Sequence, residues 1–296
     1  MKMKCNLCPR NCGAEREKGE KGFCGESSAI RAAQAALYYG EEPCISGSRG
    51  SGNVFFSGCS LHCVYCQNQP ISSGQIGRVL SSERLAWIFL NLQEQKAHNL
   101  NLVTAGHFLP LVAKALELAK KQGLSIPVVY NTSAYEKTES LALLQGLIDI
   151  YLPDLKYFSP VLSQKYSRAA DYFFIAAQAL AEMFRQTGKA CFDSEGILQR
   201  GMLVRHLLLP GQLEDSKKVV EYLWRTYGNS IWLSLMNQYT PLGNLAAFPE
   251  LQKPVSPEEY QELLDYALDL GITQAFIQED MACGLEYIPA FDLSGL

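Results

Sequence analysis

Asn53-Val54-Phe55-Phe56-Ser57-Gly58-Cys59-Ser60-Leu61-His62-Cys63-Val64-Tyr65-Cys66 is the stretch whose reading decides the fold. Its first half is β-branched and aromatic, is preceded by Gly50 and Gly52 and ends in a Ser-Gly break, which is the pattern of a short buried strand. The three cysteines, spaced C-x3-C-x2-C, therefore sit on a loop just after a strand's carboxyl end. In a parallel β/α barrel the active site is built from the loops at that end of the strands. A closed [4Fe–4S] site takes four thiolates, so three thiols with no fourth cysteine close behind leave one iron open to an external ligand. The plainer alternative is zinc, which wants four ligands. Its fourth would have to be His62, inside the same loop and beside Cys63, which is a poor tetrahedral arrangement.

Working outward from this loop, short apolar runs alternate with helical ones. Ser81 or Ser82 caps a helix with Leu85, Ile88, Phe89 and Leu92 on one face, and a strand over Leu100–Thr104 follows. Pro110 opens and Gly123 closes the next helix. Ile126–Tyr130 is a strand ending at Asn131-Thr132-Ser133, and Ile148–Leu152 is another. A long helix over 160–187, a turn at 193–196 and strands at Met202–Leu209, Ser230–Met236 and Ala275–Gln278 complete the series. Between the last two, Ser256-Pro257-Glu258-Glu259 forms a capping box. Six or seven strand–helix alternations demand a parallel sheet with right-handed crossovers. The expected fold is α/β, a partial or complete parallel β/α (TIM-like) barrel over residues 51–296, with a doubly wound open sheet as the alternative.

Residues 1–50 are rich in Gly, Cys and charge and end in the flexible run Ser46–Gly52, so they are expected to form a small cysteine-rich, metal-organised extension. Cys5, Cys8, Cys12 and Cys24 give four thiols, punctuated by Pro9, Gly13, Gly19, Gly22 and Gly25. Four thiols make a closed shell, suited to structural zinc or to a second, electron-relaying [4Fe–4S] cluster. Seven of the chain's ten cysteines are these four and the three of the loop. Such bunching points to metal in a reducing compartment rather than to disulfides. Cys44, Cys191 and Cys283 are isolated and read as inert thiols.

The 296 residues, 48% of them hydrophobic, are enough for one large domain with a small appendage. A net charge of −4 argues against a nucleic-acid partner, which leaves a basic footprint. No apolar run approaches the ~18 residues of a spanning helix, and the N-terminus lacks a signal-peptide core. The expectation is a soluble, cytoplasmic protein without a membrane partner.

The cysteine spacing, with an aromatic residue before the last cysteine, resembles the signature of the radical S-adenosylmethionine (SAM) superfamily. The resemblance implies that SAM's amino and carboxylate groups chelate the open iron. An electron from the cluster, delivered by flavodoxin or ferredoxin, then cleaves SAM to a 5′-deoxyadenosyl radical that abstracts hydrogen from a substrate. Tyr65 is implied to pack near the adenine. The motifs at successive strand ends resemble those of the pyruvate formate-lyase activating enzyme group, in its branch with an N-terminal cysteine cluster, and the match covers most of the chain. Asn131-Thr132-Ser133 is similar to the strand end that meets the SAM ribose, and Asp154-Leu155-Lys156 to an Asp-Leu-Lys motif. Val204–Gly211, with Arg205, is similar to the strand whose arginine faces SAM, and Ser234–Tyr239 to the next strand end. An arginine fork suits a carboxylate, although Asp154 with Lys156, and Arg205 with some nearby acid, also read as structural ion pairs.

The chain departs from the group after its second strand, where Val103-Thr104-Ala105-Gly106-His107 replaces a Gly-Gly-Glu type motif. Thr104 and the Gly106 backbone are the substitutes available for SAM's amino group, and His107 reads as either structural or catalytic. By resemblance the substrate is a glycine in a glycyl-radical enzyme. Two alternatives remain: a radical SAM enzyme acting on a peptide or small molecule, and a non-catalytic iron–sulfur or zinc electron-transfer protein.

Overall fold

The computed structural model describes residues 4–278 and 288–296. Seven parallel strands form the body of its sheet: β2 (Ser51–Phe56), β4 (Leu100–Val103), β5 (Val128–Thr132), β6 (Ile150–Pro153), β8 (Leu198–Leu207), β9 (Trp232–Met236) and β10 (Ala275–Ile277). β1 (Ile30–Tyr38) runs antiparallel beside β2, β3 (Arg78–Leu80) antiparallel beside β1, and the short β7 (Cys191–Phe192) pairs with β8.

The parallel strands are added in sequence order from β2 to β10, always on the same edge. With right-handed crossovers, an order that never reverses puts every connecting helix on one face and curls the sheet into a barrel, whereas a doubly wound sheet needs a reversal. The barrel is partial, because no pairing joins β10 to β2 among the described residues.

The main helices are α3 (Ser82–Glu94), α4 (Leu109–Lys121), α6 (Pro160–Ser167), α7 (Tyr172–Thr187), α8 (Leu213–Tyr227) and α9 (Pro257–Asp269), with short turns at α1 (Pro43–Ser46), α2 (Gln69–Ser72) and α5 (Thr138–Leu141). Ser81 caps α3 by accepting from the Arg84 N–H, and Ser256 with Glu259 makes the capping box of α9. Strand alternation separates two cores. Val128, Tyr130, Tyr151, Met202 and Val204 point outward into the helix layer. Val129, Ile150, Leu152 and Leu203 point inward and meet Cys44 and Ile45 of α1. Because β1 is antiparallel to β2, the 39–50 connection lies at the amino end of the barrel strands, where α1 floors the interior.

Two expectations need correction. The helix expected over 160–187 is two helices, broken at Arg168, whose φ is +53°. Arg168 closes α6 in a left-handed cap, its N–H donating to the Gln164 carbonyl at 3.1 Å, and the Arg10 guanidinium takes the carbonyls of Ser167 and Arg168 at the same helix end. The boundary expected near residue 50 also falls inside the sheet: residues 30–38 are a strand paired with β2, and only the stretch before them is a cysteine-rich loop region. Cys283 lies outside the described residues.

Candidate metal and SAM site

A cavity of about 350 Å³ opens at the carboxyl ends of the parallel strands, within the size range of small-molecule sites. Cys59, Cys63 and Cys66 all line it, as do Tyr65, Thr104, Asn131, Thr132, Ser133, Asp154, Lys156 and Arg205. Alternation explains the convergence: Phe55, Val103, Asn131, Asp154, Arg205 and Ser234 occupy inward positions on neighbouring strands, one layer above the apolar floor.

The cysteine loop is held from several sides. The Leu61 N–H donates to Cys59 Sγ at 3.3 Å, and the Ser167 hydroxyl lies 3.1 Å from Cys63 Sγ. Tyr157 donates to the Tyr65 hydroxyl at 2.7 Å, so the aromatic residue before the third cysteine is fixed in a cluster of tyrosines. Burial pushes the Cys59 thiol up to about 12 and raises Cys66 as well, so iron binding there must displace protons. Three thiols lining one cavity, with no fourth cysteine among the lining residues, fit a [4Fe–4S] cluster with one open iron.

Lys156 Nζ and Asp154 Oδ2 are 2.7 Å apart at the rim. Burial opposes the lysine charge, but Asp154 and then the Cys63 sulfur outweigh it and raise its pKa. Thr104 adopts φ +61°, a conformation that a β-branched residue holds only at a cost, and its N–H donates to the Asn131 carbonyl at 2.9 Å.

Gly106 stands apart from the cavity, and His107 and Arg205 take up the structural contacts that were one of their two readings. Gly106 does not line the cavity; it backs onto Glu136, and an added Cβ would stand 2.3 Å from that carboxylate. His107 is buried with Nε2 2.6 Å from the Ser57 carbonyl, and burial first of all drives its pKa down to about 3, so it is a neutral structural tie between two strand ends. Arg205 lines the cavity, but its guanidinium is already engaged. Nε donates to Glu42 Oε1 at 2.8 Å, and Nη2 contacts both Glu41 and Glu42. Glu41 in turn accepts from Asn53 and Asn101 at 2.7 and 2.9 Å. Sequence reasoning missed this acid pair; the only available signal was two adjacent acids before Pro43, which by themselves name no partner.

The N-terminal cysteines lie against the same loop. Cys8 and Cys24 are buried, Cys5 is half-buried and Cys12 is exposed. Gly22 leaves no room for a side chain, since an added Cβ would stand 3.1 Å from Cys12 Sγ and 3.6 Å from Cys24 Sγ. Arg10, with Phe23 and Tyr135 against its guanidinium, donates to the Ser60 and Ser167 carbonyls at 2.8 Å. The backbone carbonyl of Cys24 accepts from the N–H of Cys59 at 3.2 Å. Cys44 is buried in the barrel floor and Cys191 is exposed.

Among known proteins, a family model described as a 4Fe-4S single cluster domain matches residues 46–151, which include all three loop cysteines. An uncharacterized protein of Methanocaldococcus jannaschii is 25% identical over 277 residues, covering 90% of this chain and 76% of that one. Among solved structures, HydG, a maturase of the [FeFe]-hydrogenase, superposes with a TM-score of 0.53 at 15% identity, over 79% of this chain and 53% of its own. The protein anSMEcpe with bound AdoMet and Kp18Cys peptide does so with a TM-score of 0.51 at 15% identity, over 75% and 60%. This chain thus spans between about half and three fifths of those two solved chains. At its open-shell cysteine loop this chain is thus similar to a 4Fe-4S single cluster domain, and the partial barrel around that loop shares its fold with both solved chains.

Proposed function

We propose that this chain binds SAM in the cavity beside a [4Fe–4S] cluster on Cys59, Cys63 and Cys66, and acts on a glycine presented by a partner protein at the open mouth of the barrel. The observation that carries the reading is the joint placement of the three thiols, the strained Thr104, the Asn131–Ser133 strand end and the Asp154–Lys156 pair around one cavity. When bound, the cluster supplies one electron and SAM supplies the sulfonium from which a 5′-deoxyadenosyl radical arises. The chain's own residues do the holding. Asn131, Thr132 and Ser133 offer hydrogen bonds to a ribose, Lys156 offers positive charge toward a carboxylate, and the tyrosine cluster at Tyr65 excludes water from the adenine side. A flavodoxin or ferredoxin is the reductant that this chemistry calls for.

One observation favours a second reading, hydrogen abstraction from a peptide or small molecule. The loop after β4 brings no acid to the cavity, and Gly106 stands behind it, so the group of activating enzymes is matched least where SAM's amino group would bind.

Anaerobic EPR of the reduced, iron-reconstituted protein tests the proposal. A cluster signal that shifts with SAM and is lost when Cys59, Cys63 and Cys66 are all changed to Ala supports it, together with 5′-deoxyadenosine formation. A signal indifferent to SAM defeats it in favour of an electron carrier. SAM cleavage without a glycyl radical on any partner moves the assignment to the second reading.

A further inference from the structure

We propose that Cys5, Cys8, Cys12 and Cys24 hold a second [4Fe–4S] cluster that relays single electrons from an external protein donor to the cluster on Cys59, Cys63 and Cys66. The inference rests on the radical SAM reading of the second of these sites. Three independent features of the fold carry it.

The first is contact. The Cys24 carbonyl accepts the Cys59 N–H at 3.2 Å, so a ligand residue of one site is hydrogen-bonded through its backbone to a ligand residue of the other. Arg10 and His62 reinforce the junction: Arg10 binds the Ser60 carbonyl, and His62 Nε2 lies 2.9 Å from the carbonyl of Phe23. A merely structural metal in an appendage has no need of a backbone bond to the catalytic loop.

The second is the burial gradient. Cys24 is buried on the side of the catalytic loop, whereas Cys12 is exposed on the protein surface. One edge of the site is therefore available to a donor while the other is sealed against the barrel.

The third is charge. The buried Arg16 places Nη1 3.9 Å from Cys5 Sγ while donating to the His107 carbonyl at 2.7 Å, which sets a cation beside a site that becomes anionic when four thiolates bind iron. Zinc has no redox step to contribute, so it would make no use of this junction. The electron balance is simple: the donor is oxidised by one electron, the N-terminal cluster returns to its starting state, and the Cys59 cluster gains that electron for reductive cleavage of SAM.

The test uses the full chain. In the variant with Cys59, Cys63 and Cys66 changed to Ala, iron and acid-labile sulfide should remain at four each per chain. A reducible EPR signal indifferent to SAM should persist. Zinc, or no bound metal in a folded variant, overturns the proposal. In Cys12→Ser, which removes a proposed ligand at the exposed edge of the site, the rate at which reduced flavodoxin reduces the SAM-responsive cluster, taken relative to the rate with a small-molecule reductant, should fall at least tenfold in freeze-quench EPR. An unchanged ratio overturns the relay. If the wild-type signal never responds to SAM, it is the radical SAM reading that fails, and the iron count of the triple variant still reports separately on the N-terminal site.

Discussion

Arg205→Met removes the cation on which two buried carboxylates depend, and its consequences separate a structural arginine from a SAM-binding one. Glu41 and Glu42 have side chains only 7% exposed, and both contact the guanidinium. Burial alone would raise the Glu42 pKa, but Arg205 overrides it and holds the carboxyl below its ordinary value. Removing one partner of a buried ion pair costs about 3–5 kcal/mol, because the remaining charge is stranded. In a chain of this size each kcal/mol moves Tm by about 2–4 °C, so the variant should melt on the order of 10 °C lower. Because Glu42 is held down in the native chain, the pair's contribution is present above the ordinary carboxylate range and lost as pH falls through the lowered pKa. In Arg205→Met burial acts on Glu42 unopposed and raises its pKa, so the stranded charge is neutralised more readily at pH 5 and the deficit should be larger at pH 8. Combining it with Glu41→Gln and Glu42→Gln should restore most of the stability, as neutral replacements of buried ion pairs do. Urea and thermal unfolding of the single and triple variants, with SAM affinity measured alongside, provide the assay. A single variant within about 1 kcal/mol of wild type, or a triple variant no more stable than the single, refutes the ion-pair argument. A triple variant that regains stability but not SAM affinity returns the arginine to the SAM carboxylate.

Ser167→Ala removes the hydroxyl that lies 3.1 Å from Cys63 Sγ. Loss of that hydrogen bond disfavours the more negative, reduced cluster, so the potential should fall by up to about 60 mV, the value of a tenfold change in a one-electron equilibrium, in an EPR-monitored redox titration. Glu136 is buried beneath Tyr130 and Thr132, and burial lifts its pKa from 4.5 to about 7. Its contribution to stability is full below the ordinary carboxyl value and lost as pH rises through 7. Glu136→Gln should thus match wild type at pH 4 and exceed it by about 3 kcal/mol at pH 8 in urea unfolding, and equal stability at both pH values would rule this out. Gly58 has φ +82°, and an added Cβ would stand 2.6 Å from the Cys24 carbonyl. Gly58→Ala should destabilise the protein by about 1–3 kcal/mol and weaken cluster retention in iron analysis; full stability would show that the Cys24–Cys59 junction yields freely.

The sequence by itself determined the local pieces, because each was written in a short window. The C-x3-C-x2-C loop, the strand before it, the capping box at Ser256 and the polar strand ends at Asn131–Ser133 and Asp154–Lys156 depend on residues a few positions apart. Strand alternation then carried those polar ends to one mouth, where the cavity gathers them. Only the tertiary structure decided which charges meet. Arg205 and Glu42 are 163 positions apart, and nothing in either neighbourhood names the other until the β1–β2 connection is folded across the barrel floor. The same holds for the carbonyls freed at the helix break at Arg168, which Arg10 takes from 157 and 158 positions away, and for the bond between Cys24 and Cys59. Hydrophobic period and turn chemistry act over a few residues and are legible in a line of text. Pairing of buried charges and capping by distant side chains are fixed by desolvation inside the closed fold, where a polar group must take whichever partner the topology has delivered.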